Sequence, residues 1–385
     1  MSFKALFSRS LSADPRRLHF AAHSHHLWPD ASFDGQVEAW NDGARLADRK
    51  WDKVMDVIWP AAQAEVAAEL GTTRPEAIVF APNTHELLVR MIASAASKRP
   101  LRVLTSDGEF HSARRQLARF EEAGRATIER VPVEPFDSFS DRFLTVARSG
   151  SHDLIIVSQL LFGSGRIFDM TDKLALLGKP GGPWVAIDGY HAFMALEEPF
   201  GQLASERAFY LGGGYKYAMA GEGCAFMHAP AGFAERPLIT GWFAEFEDLS
   251  LPPGSIGYAK DGRRFLGATF DPSGLYRFVA VRRMLAANGL TTRQISQYCA
   301  DLQRRLMDRI AGTTVGKAEL LNPIGSGPHA RFLAIRSPEA QRWYAELKRE
   351  NCITDVRADV LRIGFGIYQD EGDVDRLAQL LGGLQ

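Results

Sequence analysis

Two segments carry residue types that together can do covalent chemistry on a carbonyl ligand. One is Trp184-Val-Ala-Ile-Asp188-Gly-Tyr-His191, and the other is Gly212-Gly-Gly-Tyr215-Lys216-Tyr217. The first reads as a strand ending on an acid, and the second places a lysine just past the next strand. In an open α/β sheet, ligands collect outside the carboxyl ends of the strands, so Asp188 and Lys216 are expected to point into one crevice. A lysine amine can form a Schiff base with an aldehyde, and a carboxylate can keep a pyridine nitrogen protonated so that the ring acts as an electron sink. Pyridoxal 5′-phosphate (PLP) chemistry requires both groups. Singly, Asp188 reads as a cap after a strand and Lys216 as a solvated loop charge; their joint placement at strand ends is what points to a cofactor. Gly212 to Gly214 are expected to let a buried ligand approach the backbone beside the lysine.

A phosphate-bearing cofactor also needs an anion site. Phe80-Ala-Pro-Asn83-Thr84-His85-Glu86 supplies a strand followed by a helix start with polar caps, where free N–H groups and the helix dipole favour an anion. An ordinary Asn or Thr cap has the same sequence signature. The chain contains neither G-x-x-x-x-G-K-[ST] nor a G-x-G-x-x-G that follows a strand, so nucleoside triphosphate and dinucleotide readings lose their main support.

The elements around these segments alternate. Short β-rich runs at Ala77 to Phe80, Arg102 to Ser106, Asp153 to Gln159, Trp184 to Asp188, Ala208 to Gly212 and Cys224 to His228 are separated by helical stretches, which predicts a mostly parallel sheet with helices on both faces. After Pro272 the pattern becomes α+β: helices at Leu275 to Ala287, Thr292 to Ala311, Pro338 to Glu350 and Gly372 to Leu381, a run Arg331 to Arg336, and a strand-like Ile353 to Gly364. The expected organisation is therefore an N-terminal arm and the start of a small domain over 1–50, a large domain over 51–272 and a smaller C-terminal α+β domain over 273–385. The Pro/Gly-rich stretch from Leu251 to Gly257 reads either as a linker or as an active-site loop.

With 385 residues, 46% of them apolar, the chain can build two cores. A formal charge of -1, from 45 basic and 46 acidic residues, gives no overall field for nucleic acid or an anionic membrane, which leaves a small molecule as the expected partner. Cys224, Cys299 and Cys352 are too widely spaced for a disulfide framework or zinc ribbon. No signal-peptide core or run of ~18 apolar residues is present, so a soluble cytoplasmic protein is expected.

Five segments, in order along most of the chain, resemble kynureninase within the class V aminotransferase group. They are Ser158-Gln-Leu-Leu-Phe-Gly-Ser-Gly165, Asp188-Gly-Tyr-His191, Tyr215-Lys216-Tyr217, Gly241-Trp242-Phe243, and Leu361-Arg362-Ile363 through Tyr368 and Asp370. The resemblance implies PLP fold type I: a mostly parallel, seven-stranded large domain plus the small one. It gives Lys216 the covalent link to PLP, Asp188 the pyridine nitrogen, and His191 a place beside the phenolic oxygen. Phe110 matches the aromatic that stacks on the ring, and Asn83, Thr84, Ser158 and Tyr215 match phosphate-side positions. Trp242, Thr269 and Asp271 match residues that reach the cofactor from a neighbouring subunit, which implies a homodimer. Arg362 matches the arginine that clamps the substrate carboxylate, a bidentate task suited to a guanidinium.

The substrate side departs from that family. Its ring-contacting histidine, active-site tyrosine and asparagine fall at Ala44, Gly163 and Asp271, and Phe110-His-Ser-Ala113 replaces F-P-S-D. The implied activity is a kynureninase-like hydrolase or lyase on an altered amino-acid substrate, with a class V aminotransferase as the alternative and a non-catalytic ligand-binding protein as a third reading. His25 and His26, in His19-Phe-Ala-Ala-His23-Ser-His25-His26, are expected to contact substrate; no metal site is expected, because no carboxylate or cysteine follows at ligand spacing. Cys352, near where cysteine desulfurases of this superfamily carry a nucleophile, reads as a buried small residue.

Overall fold

The computed structural model describes residues 2–95, 99–245, 252 and 254–384. Seven strands form the large sheet: β1 (Ile78–Ala81), β2 (Leu101–Ser106), β3 (Ala126–Val131), β4 (Leu154–Ser158), β5 (Trp184–Asp188), β6 (Ala208–Gly213) and β7 (Ala225–His228). Their spatial order is β1-β7-β6-β5-β4-β2-β3. Pairing is parallel from β6 through to β3, while β7 runs antiparallel to both β1 and β6. Helices cover both faces. That is why β1, β4, β6 and β7 are buried at every position and read as continuous apolar runs.

β3 is the strand that pattern reading passes over. Its sequence Ala-Thr-Ile-Glu-Arg-Val is buried only at its two ends, as suits an edge strand with Glu129 and Arg130 facing solvent.

The C-terminal region builds a second, antiparallel sheet from β8 (Glu319–Leu320), β9 (Phe332–Arg336), β10 (Asp355–Arg357) and β11 (Val360–Gly364), in the order β10-β11-β9-β8. The continuous run expected over Ile353 to Gly364 is thus a hairpin, broken at Ala358, whose φ is +50°. The N-terminal arm lies along this region: Leu18 and His19 pair in parallel with Cys352 and Ile353, and Ala21 bridges Gly364. No helix among the described residues is long and apolar enough to cross a membrane. Leu251 and Pro253, in the stretch expected as a linker or loop, lie outside the described residues.

Helix α1 (Asp30–Leu46) joins the N-terminal arm to the body by packing on α6 (Ser273–Ala287). Glycine permits the approach, since a Cβ at Gly35 would lie 2.7 Å from the Tyr276 carbonyl oxygen and 2.9 Å from Arg277 Cα. Beside the crossing, the buried Asp42 carboxylate accepts from Tyr276 Oη (3.0 Å) and from Lys53 and Arg45. Gly35→Val must push two backbones apart, and we expect it to destabilise the protein by about 2 kcal/mol, read as a lower thermal midpoint; an unchanged midpoint would show that α1 can shift freely.

Candidate active site

Ser158 ends β4, Asp188 ends β5, and Lys216 stands in the turn after β6, so the three converge at the carboxyl edge of adjacent strands. The turn is closed by Met219 N–H donating to the Lys216 carbonyl (3.0 Å) and Ala220 N–H donating to the Gly214 carbonyl (2.9 Å). The lysine side chain is buried, with its Nζ 2.6 Å from His191 Nε2 and 4.7 Å above the Tyr190 ring. Tyr190 N–H donates to Asp188 Oδ1 at 3.0 Å, which fixes the carboxylate on the same side of the sheet. The space beside Gly212 and Gly213 is filled by Phe226 and Tyr190, so these glycines make room for side chains rather than for a ligand as expected.

The electrostatics follow from burial. Burial pushes the Lys216 amine down to about 7; Asp188 opposes this and the Arg362 guanidinium reinforces it. The Asp188 carboxyl is raised, again chiefly by burial, against the pull of the Tyr190 N–H and Lys216. His191 is held well below the usual histidine range by burial and then by the positive charges of Lys216 and Arg362, so it is a neutral imidazole. Its Nδ1 is buried without a protein hydrogen-bond partner.

These groups line a cavity of about 250 Å³. Asn83, Thr84 and His85 close one side at the start of α3 (Thr84–Ala95); Phe110, Ser112 and Ala113 close another at the start of α4 (His111–Glu122). Two helix N-termini therefore face one space, a setting that favours an anion. Asn83 also caps α3, with Oδ1 accepting from Glu86 N–H at 3.0 Å. Ser158 and Tyr215 complete the expected set in the wall, and Phe162, Tyr190, Glu222 and Cys224 join it unforeseen.

Other expected residues sit elsewhere. Arg362 is buried behind Phe162, donating to the Phe162 carbonyl (2.5 Å) and to Asp355, with its guanidinium 5.7 Å over the Phe162 ring and its Nε unpartnered. Its charge reaches Lys216, yet its side chain is absent from the cavity wall. His25 is exposed, stacked on Tyr215 (centroids 5.1 Å apart) at the cavity rim. His26 instead points into the protein: its Nδ1 meets the Leu27 carbonyl at 2.7 Å, its ring packs against Phe7 and Tyr368, and burial lowers its pKa to about 4. That environment keeps it from the substrate contact expected of it in this chain. Trp242, Thr269 and Asp271 are exposed outside the cavity, and Asp271 accepts from Ser273 N–H at 2.9 Å at the start of α6. Among the described residues, no group of three or more His, Cys, Asp or Glu could hold a metal. Cys352 is buried against Leu18, and burial raises its thiol to about 12.

Sequence reasoning missed Glu109 and Asp355, both buried acids. Glu109 stood in the Gly108-Glu109-Phe110 segment beside the aromatic, but its burial depends on Ser106 and Ser158, which only the fold brings to it. Asp355 was hidden inside an apparently continuous strand.

No protein-family profile matches the chain. It is 26% identical over 358 residues, spanning 86% of this chain and 85% of the relative, to isopenicillin N epimerase of Streptomyces clavuligerus. Among solved structures, the cysteine desulfurase of Thermococcus onnurineus NA1 aligns over 100% of both chains at 16% identity with a TM-score of 0.79. A cysteine desulfurase of Escherichia coli aligns over 98% of this chain and 96% of its own, at 14% identity and a TM-score of 0.79. A lysine-to-alanine variant of C-DES, with glycine covalently linked to its PLP cofactor, aligns over 98% and 99% at 15% identity and a TM-score of 0.81. This chain therefore has the same fold as these proteins, seven-stranded sheet and smaller C-terminal sheet included.

Proposed function

We propose that the protein is a PLP-dependent enzyme that removes the α-proton of an amino acid. The observation that carries this is the meeting of a buried lysine of lowered pKa, a strand-end aspartate and two helix N-termini in one cavity. The residues fit the cofactor. Lys216 offers the amine for its aldehyde, Asp188 the counter-charge for its ring nitrogen, Phe110 an aromatic face, and Thr84 and the two helix starts the donors for its phosphate. The unpartnered His191 Nδ1 is a buried polar atom such a ligand can satisfy. A cavity of about 250 Å³ suits a compact ring better than a dinucleotide.

When bound, PLP supplies the electron sink for charge developing at the substrate's α-carbon. The chain's own residues do the rest. The Lys216 amine, about half of it neutral at pH 7 because it is buried, is the base that takes the α-proton. Asp188 keeps a proton on the ring nitrogen, and neutral His191, 2.6 Å from Lys216 Nζ, holds the amine in place. Arg362 is the candidate carboxylate clamp; it must exchange its contact with Asp355, or share it, to serve. Trp242, Thr269 and Asp271 are assigned to the neighbouring active site of a homodimer.

Among finer readings, kynureninase-type carbon-carbon cleavage rests on the ordered segments around Ser158, Asp188, Lys216, Trp242 and Arg362. The epimerase relative favours a second reading, in which the α-proton is returned to the opposite face. A thiolate relay of desulfurase type finds no support at Cys352, whose thiol is buried and raised.

The test has two readings. The protein loaded with PLP should show a visible band that borohydride removes, with the label mapped to Lys216; amino acids screened by NMR in D2O should then lose their α-proton signal. A protein that stays colourless with PLP overturns the cofactor, and a labelled protein that exchanges no amino-acid α-proton overturns the reaction.

A further inference from the structure

We propose that Glu109 is a positioning residue that sets which way the Ser158 hydroxyl hydrogen-bonds into the cavity, an inference that rests on the cofactor assignment above. Glu109 is completely buried and is not part of the wall of that cavity. Its Oε1 accepts from Ser106 Oγ (2.5 Å) and from the backbone N–H of Ser158 (3.2 Å), and its Oε2 lies 2.6 Å from Ser158 Oγ. Ser158 does line the cavity, and it is paired across strands with Asp188.

The two carboxylate oxygens are not equivalent. Oε1 already receives a backbone N–H, a donor that cannot reverse, so a proton on Glu109 belongs on Oε2, facing Ser158. When Glu109 is ionised, Ser158 must donate to it and turns only lone pairs to the cavity. When Glu109 is protonated, it donates to Ser158, whose own proton is then free for a ligand. The phosphate and phenolic oxygens of PLP are acceptors, so holding such a ligand at Ser158 favours the protonated form. Burial, reinforced by the Asp188 carboxylate and opposed by the three hydrogen bonds, holds Glu109 at about 7, where that choice is open under neutral conditions. The charged and titratable groups around it are Asp188, on the strand next to that of Ser158, and, along a groove that Glu109 also lines, His85, Asp107, His111, Arg114, Arg115, Arg119, Glu122 and Arg130.

Glu109→Gln fixes one state. Its oxygen can keep the two Oε1 contacts while its amide donates permanently to Ser158 Oγ, as the protonated acid does. PLP affinity of Glu109→Gln should therefore match the wild type at pH 6 and exceed it about tenfold at pH 8, the cost to the wild type of taking up a proton one unit above its pKa. In a Ser158→Ala background the same substitution should change nothing. Equal pH dependence in the two proteins, or an undiminished difference without the Ser158 hydroxyl, overturns the proposal.

Thermal unfolding of the apoproteins separates this from failure of the cofactor reading. An acid whose folded pKa is raised loses stability as pH rises from its unfolded to its folded value. The unfolding constant of the wild type relative to Glu109→Gln should thus climb roughly a few hundred-fold between about pH 4.5 and 7 and then level off. That rise without PLP binding by either protein refutes the cofactor and leaves the Glu109 titration standing; a flat ratio refutes the Glu109 argument itself.

Discussion

Lys216→Met is expected to abolish borohydride-trappable PLP and to lower amino-acid α-proton exchange by at least about 10³-fold, while making the apoprotein more stable. The two effects have one physical source. The amine is buried with Asp188 as its nearest opposite charge and Arg362 acting against it, and its pKa falls from 10.5 to about 7. A base with a depressed folded pKa gives up its proton on folding, so it carries no penalty above about pH 10.5, an increasing one as pH falls, and the full one below about 7. At about 1.4 kcal/mol per unit the shift sets an upper bound of roughly 5 kcal/mol. The shift already contains the attraction to Asp188, and because the amine is half neutral at pH 7 the net gain from Met there is roughly 4 kcal/mol. Denaturant melts of the two apoproteins at pH 7 and pH 10 check this: the Met variant should gain clearly at the lower pH and little at the higher. Activity lost together with stability would mean that Lys216 is structural.

The same depressed pKa governs how the protein takes up its cofactor. Only the neutral amine attacks an aldehyde, so the rate at which apoprotein and PLP combine should rise about tenfold between pH 6 and 8 and then flatten. An ordinary surface lysine would still be gaining near pH 10.

Which parts of the site could be read from sequence depends on the distance over which they are determined. Asp188 and Lys216 were legible because each closes or follows an apolar strand, and the carboxyl edge of a sheet gathers such residues whatever the rest of the fold does. The helix start at Thr84 was legible for the same local reason, through the Asn83 cap before it, whereas the start at His111 follows Phe110, which makes no side-chain cap bond. Glu109 was not. An acid surrounded by polar neighbours reads as solvated, and only the adjacency of β2 and β4 puts Ser106 and Ser158 around it. The histidine run divides for a different reason. His25 and His26 are neighbours in sequence, yet one stacks on Tyr215 at the rim and the other packs against Phe7 and Tyr368, because the arm turns between the two sheets. Arg362 was singled out by the resemblance of its segment, but its contacts with the Phe162 carbonyl and Asp355 are tertiary facts that no local pattern records.

Asp188→Asn carries the second large effect. The substitution keeps the shape and the contact with the Tyr190 N–H but removes the negative charge that holds a proton on the ring nitrogen. PLP should still attach to Lys216, because attachment needs only the amine, whereas α-proton exchange should fall about 10²- to 10³-fold, the range lost when one preorganised electrostatic contact is removed from a reacting centre. Stability again separates chemistry from damage. Burial raises the Asp188 carboxyl, and an acid with a raised folded pKa costs the apoprotein stability as pH climbs from about 3.8 through its folded value. The Asn variant should therefore melt higher than the wild type at pH 8 and equally at pH 3, even as its exchange rate collapses. If Asp188→Asn exchanges α-protons at the wild-type rate, the ring nitrogen needs no counter-charge from this chain, and the role of Asp188 reduces to capping the turn through Tyr190.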